Sequence, residues 1–475
     1  MRRLLLSAAS ALLLSACASA PIYQRTKDAA IDNPDAQGAF IESQNKAFAA
    51  NAVPGDWWKL YDDARLNGLV GDALTANTDL RAAAARVERA RTGLDVAHSA
   101  REVDIDTSAA VEYAKPSAEQ YLLIGEHLPS DFLYAANAGV SYQVDISGQV
   151  KSAMQAARAD ITASQAAYDG VRITVVADTT RAYLDACATN HQIAIAKQAL
   201  ALQGESTDVA RRLVAAGKAG AIDVTRSTGV EAQTRAAMPG LEAAHSAALY
   251  RLAMLTGRAP ADLPKEAATC DAVPVLKEPI PVGDGAALLA RRPDVRAREA
   301  ELRGATMRKG LARAALYPQI RLGAGLVSTG LTSRFLQYDT NGYSLGPLIS
   351  WNIPGEKAKA NIKAADAGID EAQARFDGAV LAALRETETA LNAYARDLDQ
   401  RTDLQHAHDQ ATKTLAETQR LQQAGKINVQ PLLDARRAVI AGDQALAQID
   451  AKLAADQVQV FLSLGGGWGD PSPKS

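Results

Sequence analysis

Residues 356 to about 424 form a run of roughly 70 positions in which no proline occurs. Apolar or small residues recur through it in steps of three and four, at Ile362, Ala365, Ile369, Ala372, Phe376, Ala379, Ala383, Thr387, Leu391, Tyr394 and Leu398. That spacing predicts one continuous helix with a single buried stripe. At about 1.5 Å per residue it would be on the order of 100 Å long, over three times the roughly 30 Å hydrocarbon core of a bilayer. It is not itself a membrane span, because charges such as Asp366, Asp370, Arg375, Asp377, Arg385, Glu386 and Asp397 interrupt it throughout. The helix is wet on its outside, so what surrounds it must explain its length.

The chain carries this design twice. At an offset of 208, Tyr168-Asp169-Gly170 falls on Phe376-Asp377-Gly378, Ala216-Gly217-Lys218 falls on Ala424-Gly425-Lys426, and Gly257 falls on Gly465. Earlier, Asp79-Leu80-Arg81-Ala82 pairs with Asp294-Val295-Arg296-Ala297 at an offset of 215, so a shorter hairpin separates these blocks in the second copy. A constant offset over some 90 residues is duplication and not shared composition. Each copy reads helix, two strands, long helix, tight turn, helix.

The predicted strands lie near 103–113, 134–146, 320–326 and 343–352, with hairpins bounded by 103–146 and 319–353. In the first, Asp104, Asp106, Ser108 and Glu112 alternate with Ile105, Val111 and Tyr113; the others alternate likewise, with Asp145 and Arg321 on the polar side. Period two with one polar and one apolar face, at about 11 residues per strand, is the pattern of a membrane barrel. A half-buried sheet in a water-soluble protein would alternate too. Lipid, however, tolerates no open sheet edge, and four strands cannot close a barrel, so the barrel must be shared between chains.

The amino terminus supports the membrane reading. Arg2 and Arg3 precede an apolar run from Leu4 to Leu14, the form of an export signal. Leu14-Ser15-Ala16-Cys17 resembles a bacterial lipobox, which implies cleavage after residue 16 and acylation of Cys17; Ala18, where aspartate would favour inner-membrane retention, implies the outer membrane. Cys187 and Cys270 remain. One lies in a helical pattern and the other in a proline-rich linker, so both read as structural, with a disulfide not expected.

With 51 basic against 54 acidic residues the chain has no charge excess to attract nucleic acid. The six histidines form no catalytic or metal pattern: His406 and His408 are two apart on a helix and cannot share a face. No phosphate loop or nucleophile motif is present, so neither enzyme, cofactor nor metal site is expected.

Four further segments carry a family resemblance: Leu288 to Ala297 (LLARRPDVRA), Leu316 to Ile320 (LYPQI), Ala424 to Ala435 (AGKINVQPLLDA) and Leu464 to Trp468 (LGGGW). From about residue 50 to 468 the chain resembles the outer-membrane factors of tripartite efflux systems, the TolC-like channels, in their lipoprotein branch of OprM-like and NodT-like proteins. The resemblance implies a mainly helical homotrimer sharing a 12-stranded outer-membrane β-barrel and a long periplasmic α-helical barrel. It also implies a periplasmic adaptor protein and an inner-membrane pump as partners.

On that scheme residues 1–16 are the signal, 17–56 an N-terminal extension, 57–257 the first repeat, 258–285 an equatorial linker, 286–465 the second repeat and 466–475 a tail. The tip turns would meet the adaptor, through Gly217, Lys218, Gly425 and Lys426. Asp434 matches a family position whose carboxylate enters the pore constriction; alternatively it sits in the first turn of a helix opened by Pro431, favoured by the helix dipole. Asp223, which falls on Pro431 across the repeat, matches a second family aspartate or is an ordinary N-cap before Val224. Asp104, Asp106, Glu112, Asp145 and Arg321 would face the lumen. A stand-alone porin or a lipid-anchored helical scaffold are the competing readings, and neither needs the adaptor.

Overall fold

The computed structural model describes residues 23–466, apart from Gln24, Lys27, residues 119–123, Glu126 and Pro264. Cys17, the signal, the tail beyond residue 466 and the apolar loop residues Leu122 and Leu123 therefore lie outside the described residues. In chain order the main elements are α1 (Ala64–Ala76), α2 (Thr78–Ser99), β1 (Asp104–Ala114), β2 (Asp131–Val144), α3 (Gln149–Ala215), α4 (Ala221–Ala236) and α5 (Met238–Leu255). Then follow α6 (Gly285–Arg291), α7 (Pro293–Ala314), β3 (Gln319–Leu331), β4 (Asn341–Ser350), α8 (Glu356–Gln423) and α9 (Val429–Ser463). The duplicated order is as expected, and the proline-free run is one helix of 68 residues. No described helix is long and apolar enough to cross a membrane.

The chain divides into two compact units. The first comprises Arg86–Ser164 and Ala297–Phe376 with the segment ending at Thr26, and holds the strands. They form one antiparallel sheet in the order β1-β2-β3-β4. Asp104 lies opposite Ser141, Val144 opposite Ile320 and Gln319 opposite Ser350, so all four helical connections leave from one end of the sheet. The connections from β1 to β2 and from β3 to β4 leave from the other. Among the described residues, β1 and β4 are open edges.

The second unit comprises Lys27–Ala85, Gln165–Arg296 and Asp377–Ser475 and contains the main core. There Trp57 stacks on Phe461 with ring centroids 4.6 Å apart, among Leu66, Tyr183, Leu252, Leu288, Leu391 and Leu464. Phe48 and Ala49 pair in parallel with Ile280 and Pro281, joining the N-terminal extension to the linker. A Cβ on Gly466 would meet Trp57, so the segment after α9 reaches the same place.

Periodicity predicts one helix from residue 64 to 101; the structure breaks it at Asn77, and breaks its copy at Arg292. These positions are equivalent at the offset of 215. Asn77 Nδ2 donates to the Leu255 carbonyl at 3.1 Å, and Arg292 Nη1 donates to the Ser463 carbonyl at 2.9 Å. Leu255 and Ser463 are themselves 208 apart, so the repeat reproduces a tertiary contact as well as a helix order. In both copies a side chain at a helix break satisfies a carbonyl orphaned at a helix C-terminus. The arginine also binds Asp294 and Glu386 at 2.7 and 2.9 Å. Burial opposes its charge, but those two carboxylates outweigh it and raise the pKa. Neighbouring Arg291, whose Nε donates to the Leu464 carbonyl, is pulled down to about 10 by burial. Arg291 and Arg292 of the LLARRPDVRA segment thus form one joint with Ser463 and Leu464 at the end of α9.

The copies diverge where α9 runs unbroken but its counterpart stops at Ala237 and resumes as α5. Pro239 explains this, since it lacks the N–H that a helix interior requires, and Ala447 takes its place in the second copy.

One expectation is overturned. Cys187 and Cys270 form a disulfide, with Cα atoms 4.8 Å apart and both residues almost fully buried. They are 83 residues apart in sequence, and only the return of the linker over α3 brings them together.

Candidate functional site: the strand faces and the helix tips

The sheet has two chemically distinct faces. Register places Asp104, Asp106, Ser108 and Glu112 of β1 on the face that carries Asn137, Gly139, Ser141 and Gln143 of β2. Arg321 lies on that face too, opposite Gln143 on one side and Leu348 on the other. Gly139 makes room for Asp106, whose carboxylate oxygen would lie 2.7 Å from an added Cβ. On the other face Ile105, Val111, Val140, Leu322 and Leu326 are exposed, and Tyr343 and Leu345 retain 86% and 84% of their accessibility. So large an uncovered apolar surface seeks lipid or protein. Asp145 is not with the strand residues. Strand β2 ends at Val144, and the Asp145 carboxylate accepts from the N–H groups of Val150 and Lys151 at 3.2 and 2.9 Å, at the start of α3.

The tip turns repeat in detail. Gly217 and Gly425 both have φ of +68°, a left-handed conformation that a residue without a Cβ adopts cheaply. Lys218 N–H donates to the Leu213 carbonyl at 2.8 Å and Lys426 N–H to the Leu421 carbonyl at 2.9 Å, closing both long helices in the same way. The same bond pattern recurs at Gly257 and Gly465, at the far ends of the hairpins. Both lysine side chains are exposed beyond the last turn.

Asp223 is not an N-cap. It is the third residue of α4, where its carboxylate accepts from the Gly220 N–H at 3.2 Å and pairs with Arg226 at 3.4 Å. Asp434 lies outside the first turn, because α9 opens at Val429, behind Asn428, whose side chain accepts from the Gln430 N–H. As the sixth residue it is beyond the strongest reach of the dipole. Its Oδ1 receives Arg437 at 2.8 Å and Gln430 Nε2 at 3.3 Å, and the carboxylate stays largely exposed. Across the repeat Asp434 falls on Arg226, so the two turns carry opposite charge at this position. Arg436, next to the Asp434 pair, crosses to Glu205 of α3 at 2.9 Å. Among the described residues no three His, Cys, Asp or Glu side chains could hold a metal ion.

Residues 69–258 and 286–466 match the family described as outer membrane efflux protein. The chain belongs to that family. This efflux protein is 28% identical to the outer membrane protein OprJ of Pseudomonas aeruginosa over 470 residues, covering 96% of this chain and 94% of that one. It is 26% identical to the probable outer membrane lipoprotein SilC of Salmonella typhimurium, covering 98% of each. The solved structure of the outer-membrane channel OprN matches it with a TM-score of 0.84 at 27% identity, over 95% of this chain and 100% of that one. The efflux protein is thus an outer-membrane protein of channel fold, with a large helical part on the periplasmic side. Sequence reading missed the disulfide and the part played by Arg292, and set Asp145 on a strand that ends one residue before it.

Proposed function

We propose that the protein is the outer-membrane exit duct of a tripartite efflux system, conducting drugs or other small toxic compounds passively from periplasm to exterior. The observation that carries this is the sheet with two open edges and one uncovered apolar face. A bilayer admits no unpaired edge, so each subunit must complete its wall with its neighbours' strands. Three subunits give 12 strands and room for a lumen, whereas two give eight and an interior filled by side chains. The polar face with Asp104, Asp106, Glu112 and Arg321 then lines the passage.

The turns at Gly217-Lys218 and Gly425-Lys426 meet a periplasmic adaptor, and Asp434, with Asp223 as the second candidate, closes the entrance. Three copies of a carboxylate near an axis repel one another and hold cations. An inner-membrane pump supplies the energy, since the chain has no nucleotide motif. Acylated Cys17 adds a lipid anchor, in keeping with the lipoprotein to which the chain is similar. The domain bounds set out from the sequence serve as the working division.

The test is purification in detergent, cross-linking and reconstitution into planar bilayers, beside deletion of the gene in cells exposed to toxic compounds. Trimers with single-channel conductance and a hypersensitive deletion strain are expected. A monomer without conductance would sink the proposal.

A further inference from the structure

Along the second hairpin, a carboxyl pair joins two helices. Asp397 of α8 is 6% exposed, and its Oδ1 takes Lys452 of α9 at 2.7 Å. Its Oδ2 and the Oδ2 of Asp456, one turn along α9 from Lys452, are both buried and receive no N–H or hydroxyl donor. The two carboxyl groups instead lie within hydrogen-bonding reach of each other. Two carboxylate oxygens cannot bond unless one carries a proton, and two bare charges in a poorly solvated place repel. We propose that Asp397 and Asp456 share one proton and act as a pH-sensitive clasp between α8 and α9.

The surroundings assign the proton. Lys452 favours the ionised form of Asp397, which stays below the usual carboxylate range because the bonds from Asp456 and Lys452 outweigh its burial. Asp456 is pushed up to about 7, first by burial and then by Asp397, against the pull of Lys452 and Arg181. Arg181 of α3 is itself turned to Gln459, and its Nε is buried without a partner. The remaining titratable neighbours are Tyr394 of α8 and Tyr61, which bond to Gln457 and not to the pair. Asp178 and Asp185 of α3, which also interact with Arg181, have pKa values raised by burial.

The duplication supplies an internal control. The positions equivalent to Asp397, Lys452 and Asp456 are Thr189, Ala244 and Ala248. There Thr189 Oγ1 meets His245 Nδ1 at 3.2 Å, and the disulfide through Cys187 lies two residues away. One hairpin is thus joined at this level without carboxylates, the other by a proton.

The direction follows from linkage. Folded Asp456 binds its proton more tightly than an unfolded carboxylate, so its stabilisation is complete below about pH 4, falls as pH rises, and is gone above the folded value near 7. The experiment is amide hydrogen exchange of the full-length protein in detergent at about pH 5.5 and about pH 8, corrected for intrinsic rates, for wild type and Asp456→Asn. Protection around Asp397 and Asp456 should fall at least about tenfold in the wild type, one pKa unit being worth a factor of ten. It should stay flat in the variant, as should the segment around Thr189 in both proteins. A wild-type profile without the fall, or an equal fall in Asp456→Asn, overturns the proposal. Infrared titration decides even if the variant fails to fold: a protonated-carboxyl band lost near neutral pH supports the clasp, and its absence at about pH 5.5 refutes it.

Discussion

Replacing both Cys187 and Cys270 by alanine removes a cross-link that closes a loop of 83 residues, including the distal part of α3, the first tip turn, α4 and α5. In the chain-entropy account, opening a loop of that size costs on the order of 4 to 5 kcal/mol through the unfolded state. The second unit holds about 300 residues. At about 2.1 cal/mol/K per residue its unfolding entropy is about 0.6 kcal/mol/K, so the loss corresponds to a fall of about 7 °C in Tm if the unit melts cooperatively. Thermal unfolding of detergent-purified protein, followed by helical circular dichroism, measures this. Because both sulfurs are buried, reductant at room temperature should leave the wild type unchanged, while reductant present during melting should bring it to the variant's Tm. A double variant within about 2 °C of wild type would refute the staple as described, the whole entropic contribution being then missing. Labelling of either cysteine in native wild type without reductant would refute it more directly.

Other perturbations separate the remaining parts. Arg292→Met leaves Asp294 and Glu386 without their shared cation and the Ser463 carbonyl with Thr387 as its remaining side-chain donor; because both carboxylates are nearly half exposed, a loss of about 1 to 3 kcal/mol is expected in denaturant unfolding. Gly425→Ala should cost only the backbone penalty of about 1 to 2 kcal/mol, since nothing lies near the added methyl. Gly257→Ala should cost clearly more, because its Cβ would sit 2.8 Å from the Ala76 carbonyl oxygen, and equal Tm shifts for the two would contradict this packing. Leu345→Arg on the apolar face should lower recovery from the outer-membrane fraction, with a penalty of about 2 to 4 kcal/mol if it faces the bilayer midplane. Ser344→Arg, one residue away on the polar face, should insert normally and reduce cation preference in planar bilayers. Asp434→Ala should make the resting channel leakier, and an unchanged single-channel conductance would count against its place at the constriction.

Much of this protein was legible from sequence because its signals are local and repeated. The stripe through Phe376, Ala383, Thr387, Leu391 and Tyr394 is buried as the spacing requires, and the alternation around Asp106 and Leu345 sorts the sheet into two faces. The glycines at 217 and 425 could be placed because only a left-handed turn explains them at the same offset. What escaped depends on partners distant in the chain. The break at Asn77 is made by a contact with Leu255, the bond of Cys187 by a residue 83 positions away, and the state of Asp456 by burial that no spacing records. The alternative reading of Asp434 as a first-turn residue behind Pro431 fails because the helix begins at Val429 behind Asn428.

The sheet's topology also limits what the outside world can meet. With every helical connection at one end, the β1–β2 and β3–β4 connections are what the described residues place at the opposite end of the strands. If the proposed barrel forms in the cell, an antibody or phage approaching from outside has those two connections to grip, and substitutions that evade it there need not disturb the strands themselves.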